Sequence, residues 1–166
     1  MARDATARLY DVDADSLVFQ KLKVSEKYDQ GTITFQAKKG KLIDLNKLHE
    51  SIWATRLSGG TGSGLICLEV TAVGEVETTG AMATLKVNGT NREFILVDDV
   101  KAKPAEARKS ALAEMLSAIS GGNKVVSVTA YVDGWSGRWP GVLSQPPAQT
   151  PQLMVTSFQV AGVDQK

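Results

Sequence analysis

The sequence predicts an α+β fold, and three observations lead to it. Apolar residues alternate with polar ones, most clearly over Thr32–Ala37 and Lys124–Val132, as they do in half-buried strands. Two other segments, over about 45–57 and 104–119, carry apolar residues at helical spacing, and each is followed by paired glycines that stop a helix. The predicted strands stand on both sides of each predicted helix, so the two kinds of element are mixed along the chain of 166 residues.

The first 64 residues predict two strands followed by a helix. Residues 17–24 alternate in part, and in the clear strand that follows, Ile33 and Phe35 share one face. Asp44 is a good N-cap for the helix. The apolar side of that helix is formed by Leu45, Leu48, Ile52 and Leu57, with Trp53 at its border. The glycine-rich run Ser58–Gly64 then ends the helix and links it to the rest of the chain.

The remaining residues predict three strands, a helix and two strands. The segments are 65–76, 82–87, 92–97, a helix over about 104–119, 124–132 and 152–161. This is the order of an OB fold, a five-stranded Greek-key barrel with its helix between the third and fourth strands. Gly74 lies inside the long first strand, where it would ease a sharp bend. We therefore expect two domains, a strand-helix unit over residues 1–64 and an OB-like barrel over residues 65–166.

One segment resembles a known family. Residues 32–52 read Thr-Ile-Thr-Phe-Gln-Ala-Lys-Lys-Gly-Lys-Leu-Ile-Asp-Leu-Asn-Lys-Leu-His-Glu-Ser-Ile, which is similar to the strand, loop and helix that open heavy-metal-associated domains. The resemblance implies a short ferredoxin-like unit, which either packs on the barrel or shares strands with it. The family holds soft metals through a Cys-x-x-Cys motif where this chain has Lys38–Lys41. Because lysines repel cations and thiolates are absent, the resemblance implies a degenerate domain without a metal site. Residues 65–161 similarly resemble bacterial OB-fold modules, through strand order alone.

The composition narrows the partner classes. The formal net charge is +1, with 22% charged and 43% hydrophobic residues. Neither half of the chain has the large cationic excess of a dedicated nucleic-acid binder. The N-terminus carries no apolar segment of the kind that forms a signal peptide, although an export signal could have been replaced by Met1, so the compartment is left open. No apolar stretch approaches the roughly 20 residues of a membrane-spanning helix.

Several motifs suggest catalytic or metal chemistry, and in each a simpler interpretation is favoured. The glycines of residues 59–64 follow a helix, which reverses the order found in phosphate-binding loops, so they predict a flexible connection. His49 is the only histidine and predicts a surface residue of the helix. Asp11–Asp15 resembles the start of a calcium loop but lacks its later glycine and glutamate, and it predicts a solvated acidic segment. Cys67, the only cysteine, predicts a small buried residue. We expect no catalytic residues, no bound metal and no cofactor.

The most informative segment is the loop Asp133-Gly-Trp-Ser-Gly-Arg-Trp-Pro140. It gathers Trp135, Arg138 and Trp139 in the connection between the fourth and fifth strands of the predicted barrel. In OB folds this connection flanks the binding face, and aromatic and arginine side chains are frequent anchors of binding sites. The alternative is that one or both tryptophans fold back and cap the barrel.

The sequence therefore favours a non-enzymatic binding or assembly module that contacts a protein partner, or another copy of itself, through Trp135, Arg138 and Trp139. An OB-type binder of single-stranded nucleic acid or oligosaccharide is the alternative that the aromatic loop supports. A metal-handling protein or an enzyme is a third hypothesis, and it depends on the family resemblance alone.

Overall fold

The described strands form two separate β-sheets, each in its own compact unit. The computed structural model describes residues 1–22, 31–55, 63, 65, 67–98, 110–122, 124–132 and 152–161. Its backbone contacts divide the chain into Met1–Leu65 and Ile66–Lys166. Within the described residues there are three helices and seven strands. The strands form a two-stranded sheet and a closed five-stranded barrel. The predicted α+β class with a five-stranded barrel is confirmed.

The first unit contains two helices and an antiparallel pair of strands. Its elements are α1 (Ala2–Ala7), β1 (Val12–Lys21), β2 (Gly31–Ala37) and α2 (Leu45–Trp53). The two helices pack on each other, and the Ser51 hydroxyl donates a hydrogen bond to the Ala5 carbonyl oxygen at 3.1 Å. Among the described residues of this unit, the buried side chains are Thr6, Val12, Leu17, Leu48, His49 and Ile52. The predicted N-cap of α2 is present, since the Asp44 carboxylate accepts from the amides of Asn46 and Lys47 at 3.0 and 3.2 Å.

A register shift divides β1 between Asp13 and Val18. Ser16 holds this irregular segment together, because its hydroxyl donates to the Asp13 carbonyl oxygen at 2.6 Å and accepts from the Gln36 amide at 2.8 Å. At the register shift, the Ser16 hydroxyl thus takes the place of a β1 carbonyl oxygen as the acceptor for the Gln36 amide of β2. The strand begins at Val12, earlier than the start at residue 17 that alternation predicts. The extra residues at the register shift interrupt the alternation, so the sequence pattern does not reveal the first part of the strand.

The second unit is a closed barrel. Its elements are β3 (Glu69–Thr79), β4 (Met82–Val87), β5 (Glu93–Asp98), α3 (Ala111–Ile119), β6 (Val125–Val132) and β7 (Gln152–Val160). The strands close in the order β3-β4-β5-β7-β6, with β5 and β7 parallel and the other neighbours antiparallel. The predicted element order, with the helix between the third and fourth barrel strands, is found. The predicted helix residues before Ser110 lie outside the described residues, and Ser110 caps α3 by accepting from the Ala113 amide at 3.0 Å.

Gly74 is the point at which β3 changes neighbours. Residues 69–75 pair with β6, and residues 74–79 pair with β4, so Gly74 and Glu75 belong to both ladders. A Cβ atom at this position would lie 2.2 Å from the Lys86 carbonyl oxygen. The glycine is therefore required because the backbone of β4 approaches it closely.

The barrel interior is filled by alternate strand residues. The fully buried ones, at 0% or 1% exposure, are Val76, Leu85, Val126, Val128, Ala130, Val132, Leu153 and Val155. Met115 and Ile119 of α3 are buried as well. Burying aliphatic side chains of this kind contributes about 1.5–3 kcal/mol each, so the barrel provides a stable support for its surface connections.

Candidate binding surface at the base of the β6–β7 connection

The connection between β6 and β7 contains the predicted site residues. Trp135, Arg138 and Trp139 themselves lie outside the described residues. They are flanked by two antiparallel neighbours, since β6 ends at Val132 and β7 begins at Gln152. The connection therefore leaves the barrel and returns to it at one place on the rim.

The barrel holds this place firmly. Val132 pairs with Leu153, and both side chains are fully buried. The Val132 amide also donates to the Leu68 carbonyl oxygen at 3.0 Å. A binding segment that emerges from such a support has its ends fixed, which is how rigid scaffolds position functional loops.

A partly apolar surface surrounds the point where the connection emerges. We define this loop-base surface by the outward residues Glu69, Ile95, Val97, Tyr131 and Gln152. Strand pairing brings them together, since Glu69 lies opposite Tyr131 and Ile95 lies opposite Gln152, while Met154 lies between Tyr131 and Val97. Ile95, Val97 and Tyr131 are half-buried, and Glu69 and Gln152 are exposed. Apolar side chains with a polar border are typical of small protein-contact surfaces.

A sequence signal for the loop-base surface exists in β5. The run Phe94-Ile-Leu-Val97 is apolar at four consecutive positions, whereas a strand with one solvated face alternates. Phe94 and Leu96 point into the barrel and are buried, which leaves Ile95 and Val97 on the outside. The interruption of alternation therefore marks the outer apolar residues.

Carboxylates predominate on the described part of the barrel. Six acidic residues (Glu69, Glu75, Glu77, Glu93, Asp98 and Glu114) stand against three basic ones (Lys86, Arg92 and Lys124). Lys86 itself lies opposite Glu75 on one side and Glu93 on the other. Nucleic-acid binding depends strongly on cations that neutralise phosphates. Among the described residues of the barrel, such cations are therefore the minority.

Cys67 does not occupy the buried position that the sequence predicts. Its side chain is exposed, because β3 begins only at Glu69 and the cysteine precedes the barrel ladder. Partial burial of the sulfur, and after it the negative charge of Glu69, raise the pKa of the thiol. The thiol is therefore protonated at neutral pH and is a poor nucleophile.

His49 also differs from its prediction as a surface residue. The side chain is only 6% exposed, and its ring lies parallel to that of Trp53, with 6.3 Å between the ring centroids and an interplanar angle of 8°. The two residues are four positions apart on α2, where helical geometry places side chains on the same face. His49 thus extends the buried face of the helix beyond Leu48 and Ile52.

The acidic segment and the described side chains elsewhere provide no metal centre. Asp13 and Asp15 lie on β1, and the Asp13 carboxylate accepts from the Asp15 amide at 3.2 Å. Within the described ranges, no group of three or more histidine, cysteine, aspartate or glutamate side chains is placed to hold a metal ion.

The loop Lys38–Lys41 packs on an aromatic ring. The ammonium groups of Lys38 and Lys41 lie 4.9 and 5.5 Å from the centroid of the Tyr10 ring. Lys38 also donates to the Tyr10 carbonyl oxygen at 2.7 Å, and Gly40 has a positive φ of 72° that allows the turn. The loop therefore presents two cations close together, which is unfavourable for binding a metal cation.

Comparison of the chain with protein-family models, curated proteins and solved structures returned no match. None of the helices in the described residues is long and apolar enough to cross a membrane.

Proposed function

We propose that the barrel is a non-enzymatic binding or assembly module for a protein partner, with Trp135, Arg138 and Trp139 as anchors and the loop-base surface as their support. The observation that carries the proposal is the composition of that surface. Ile95, Val97 and Tyr131 are half-buried apolar side chains that remain partly accessible on the outside of the barrel. A partner that covers them gains hydrophobic free energy at about 25 cal/mol per Å² of apolar surface.

The charges on the described part of the barrel favour a protein over a nucleic acid. The described acidic residues outnumber the basic ones, and Glu69 belongs to the loop-base surface. A phosphate backbone would be repelled here, whereas a protein partner can present a cation to Glu69 and apolar groups to its neighbours. The single arginine of the loop adds one cation, and aromatic and arginine anchors are enriched in protein interfaces.

Photocrosslinking from the loop tests this proposal. A photoreactive phenylalanine analogue replaces Trp139 in the full chain, and a matched control carries it at Met82, an exposed position of β4 that pairs with the end of β3 opposite to Glu69. We expect a discrete protein adduct from Trp139 in extract of the source cells and none from Met82. Excess wild-type chain should compete for the adduct, and the Trp135→Ala/Trp139→Ala double variant should not. Equal competition by the wild-type chain and the double variant would show that the loop is not part of the interface.

The strand order favours a second candidate, an OB-type module for single-stranded nucleic acid or oligosaccharide. In such barrels the connection between the fourth and fifth strands borders the binding face, and this is the connection that joins β6 to β7. Tryptophan fluorescence with a short mixed-sequence single strand, at low and then moderate salt, distinguishes the two candidates. Saturable quenching that salt weakens and that Trp135→Ala and Trp139→Ala abolish would favour the nucleic acid; unchanged fluorescence at low salt would exclude it. A parallel titration with an oligosaccharide tests the sugar.

A further inference from the structure

The two outer edges of the two-stranded sheet differ in a way that indicates a docking site. An unpaired strand edge is a template for another chain, and proteins protect such edges with charges, prolines or bulges. β1 carries the charged residues Asp13, Asp15 and Lys21 and a register shift. β2 reads Gly-Thr-Ile-Thr-Phe-Gln-Ala over residues 31–37 and contains none of these devices. Among the described strands, β2 pairs with β1 alone.

Hydrogen bonds to β1 show which backbone groups of β2 face outward. The amides of Gln36 and Lys38 point toward β1, since they donate to the Ser16 hydroxyl and to the Asp11 carbonyl oxygen. Backbone groups of successive strand residues point to opposite sides. The amide and carbonyl groups of Ile33 and Phe35 therefore point to the outer edge.

The side chains of β2 are also incompletely covered. No residue of the strand is buried, although Ile33 and Phe35 face the same side as Phe19, which is itself 50% exposed. On the opposite side Thr32, Thr34 and Gln36 are exposed. A sheet of two strands is marginal by itself, and additional strands extend its apolar face.

The sequence of β2 is complementary to itself when two copies run antiparallel. With Thr34 on the two-fold axis, Ile33 lies opposite Phe35 of the second copy, and Thr32 lies opposite Gln36 of the second copy. Apolar residues then meet on one face and uncharged polar residues on the other, without any pair of like charges. The outward backbone groups of Ile33 and Phe35 meet their counterparts in this register, which makes four hydrogen bonds across the axis.

We propose that the outer edge of β2 binds the same edge of a second copy of this chain, forming a continuous four-stranded sheet around a two-fold axis at Thr34. The interface is isologous, so it closes as a dimer. Pairing of one short strand buries little area, which predicts a weak, concentration-dependent dimer. The proposal concerns the first unit alone and is independent of the function proposed for the barrel.

Disulfide trapping tests the register directly. In the proposed dimer Thr34 faces Thr34 of the second copy as a non-hydrogen-bonded pair, at a Cα separation of about 4.5 Å, which a disulfide can bridge. In a Cys67→Ser background, Thr34→Cys should form a crosslinked dimer with oxidised glutathione at least about tenfold faster than Gln20→Cys, because only the former is brought opposite its copy. Gln20 is an exposed β1 residue opposite Thr32 and serves as the matched control. Equal rates for the two variants would overturn the proposal.

Charge variants at the same position provide a second test that does not involve a covalent bond. Sedimentation equilibrium of the full wild-type chain from low micromolar to millimolar concentration should show dimers. Thr34→Lys and Thr34→Glu should each weaken the dimer by at least about fivefold, since like charges then face each other, and an equimolar mixture of the two should restore association. Gln20→Lys should associate as wild type does. A monomeric wild-type chain, or dimers unaffected by Thr34→Lys, would contradict the proposal, and circular dichroism of each variant verifies that it is folded.

Discussion

The two described sheets differ in whether their outer strands are paired. In the barrel, every strand from β3 to β7 has two neighbours, so closure leaves no edge among these strands. In the first unit, β1 and β2 each have one neighbour among the described strands, and α1 packs on β1. Closure makes the barrel self-sufficient, whereas the open sheet retains hydrogen-bonding capacity for another chain. The comparison separates a supporting scaffold from a surface that can be extended.

The strongest way to break the comparison is to prevent closure of the barrel at Gly74. In Gly74→Val the new side chain meets the Lys86 carbonyl oxygen, since even a Cβ would lie 2.2 Å from it. We expect the free energy of unfolding of the barrel to fall by about 3 kcal/mol, measured by urea denaturation. Gly121→Ala is the matched control, because a Cβ there contacts nothing within 4 Å and no positive φ is required. A similar loss in both variants would show that the close approach is not the cause.

A smaller effect is expected from Ser16→Ala in the open sheet. Removing the hydroxyl leaves the Gln36 amide without its protein acceptor and loosens the irregular part of β1. We expect a loss of about 1 kcal/mol, seen as faster hydrogen exchange at residues 12–21 and 31–37 with unchanged exchange in the barrel. Ser157→Ala, at an exposed position on β7, should leave both regions unchanged. Accelerated exchange that extends into the barrel strands would contradict the independence of the two sheets.

The smallest expected effect concerns the reactivity of the Cys67 thiol, just before the first strand of the barrel. Cys67 precedes β3, and the charge of Glu69 contributes to the raised pKa of its thiol. A raised pKa lowers the thiolate fraction below that pKa, so Glu69→Gln should lower the pKa and speed alkylation by iodoacetamide at pH 8 by roughly twofold. Glu93→Gln, on β5, is the control and should leave the rate unchanged. An unchanged rate in Glu69→Gln would show that burial alone sets the pKa.

Much of the fold could be predicted because alternation is local information. The segment predicted as 82–87 is β4, and the strong alternation near residue 124 marks β6. By contrast, α1 has six residues and no apolar stripe, and its burial of Thr6 depends on packing within the unit. The N-terminal part of β1 was missed because the register shift interrupts its alternation.

The candidate site was predictable only in part. Aromatic side chains in a glycine-rich connection identify Trp135, Arg138 and Trp139, but their placement remains a prediction. Ile95 and Val97 become part of a surface only when pairing of β5 with β7 brings them beside the start of that strand. The burial of His49 likewise depends on packing, which a single histidine in a sequence does not reveal.

The position of β7 in the barrel has a consequence for biosynthesis. This strand is the last described one along the chain, yet it lies between β5 and β6 and forms the parallel contact of the barrel. A nascent chain that ends before Gln152 holds four barrel strands with a gap where the fifth belongs, so the barrel cannot close until residues 152–160 have left the ribosome. Contacts this distant in sequence slow folding. In a stalled or truncated chain, β5 and β6 each keep an unpaired strand edge, and such edges can pair with other chains and cause aggregation.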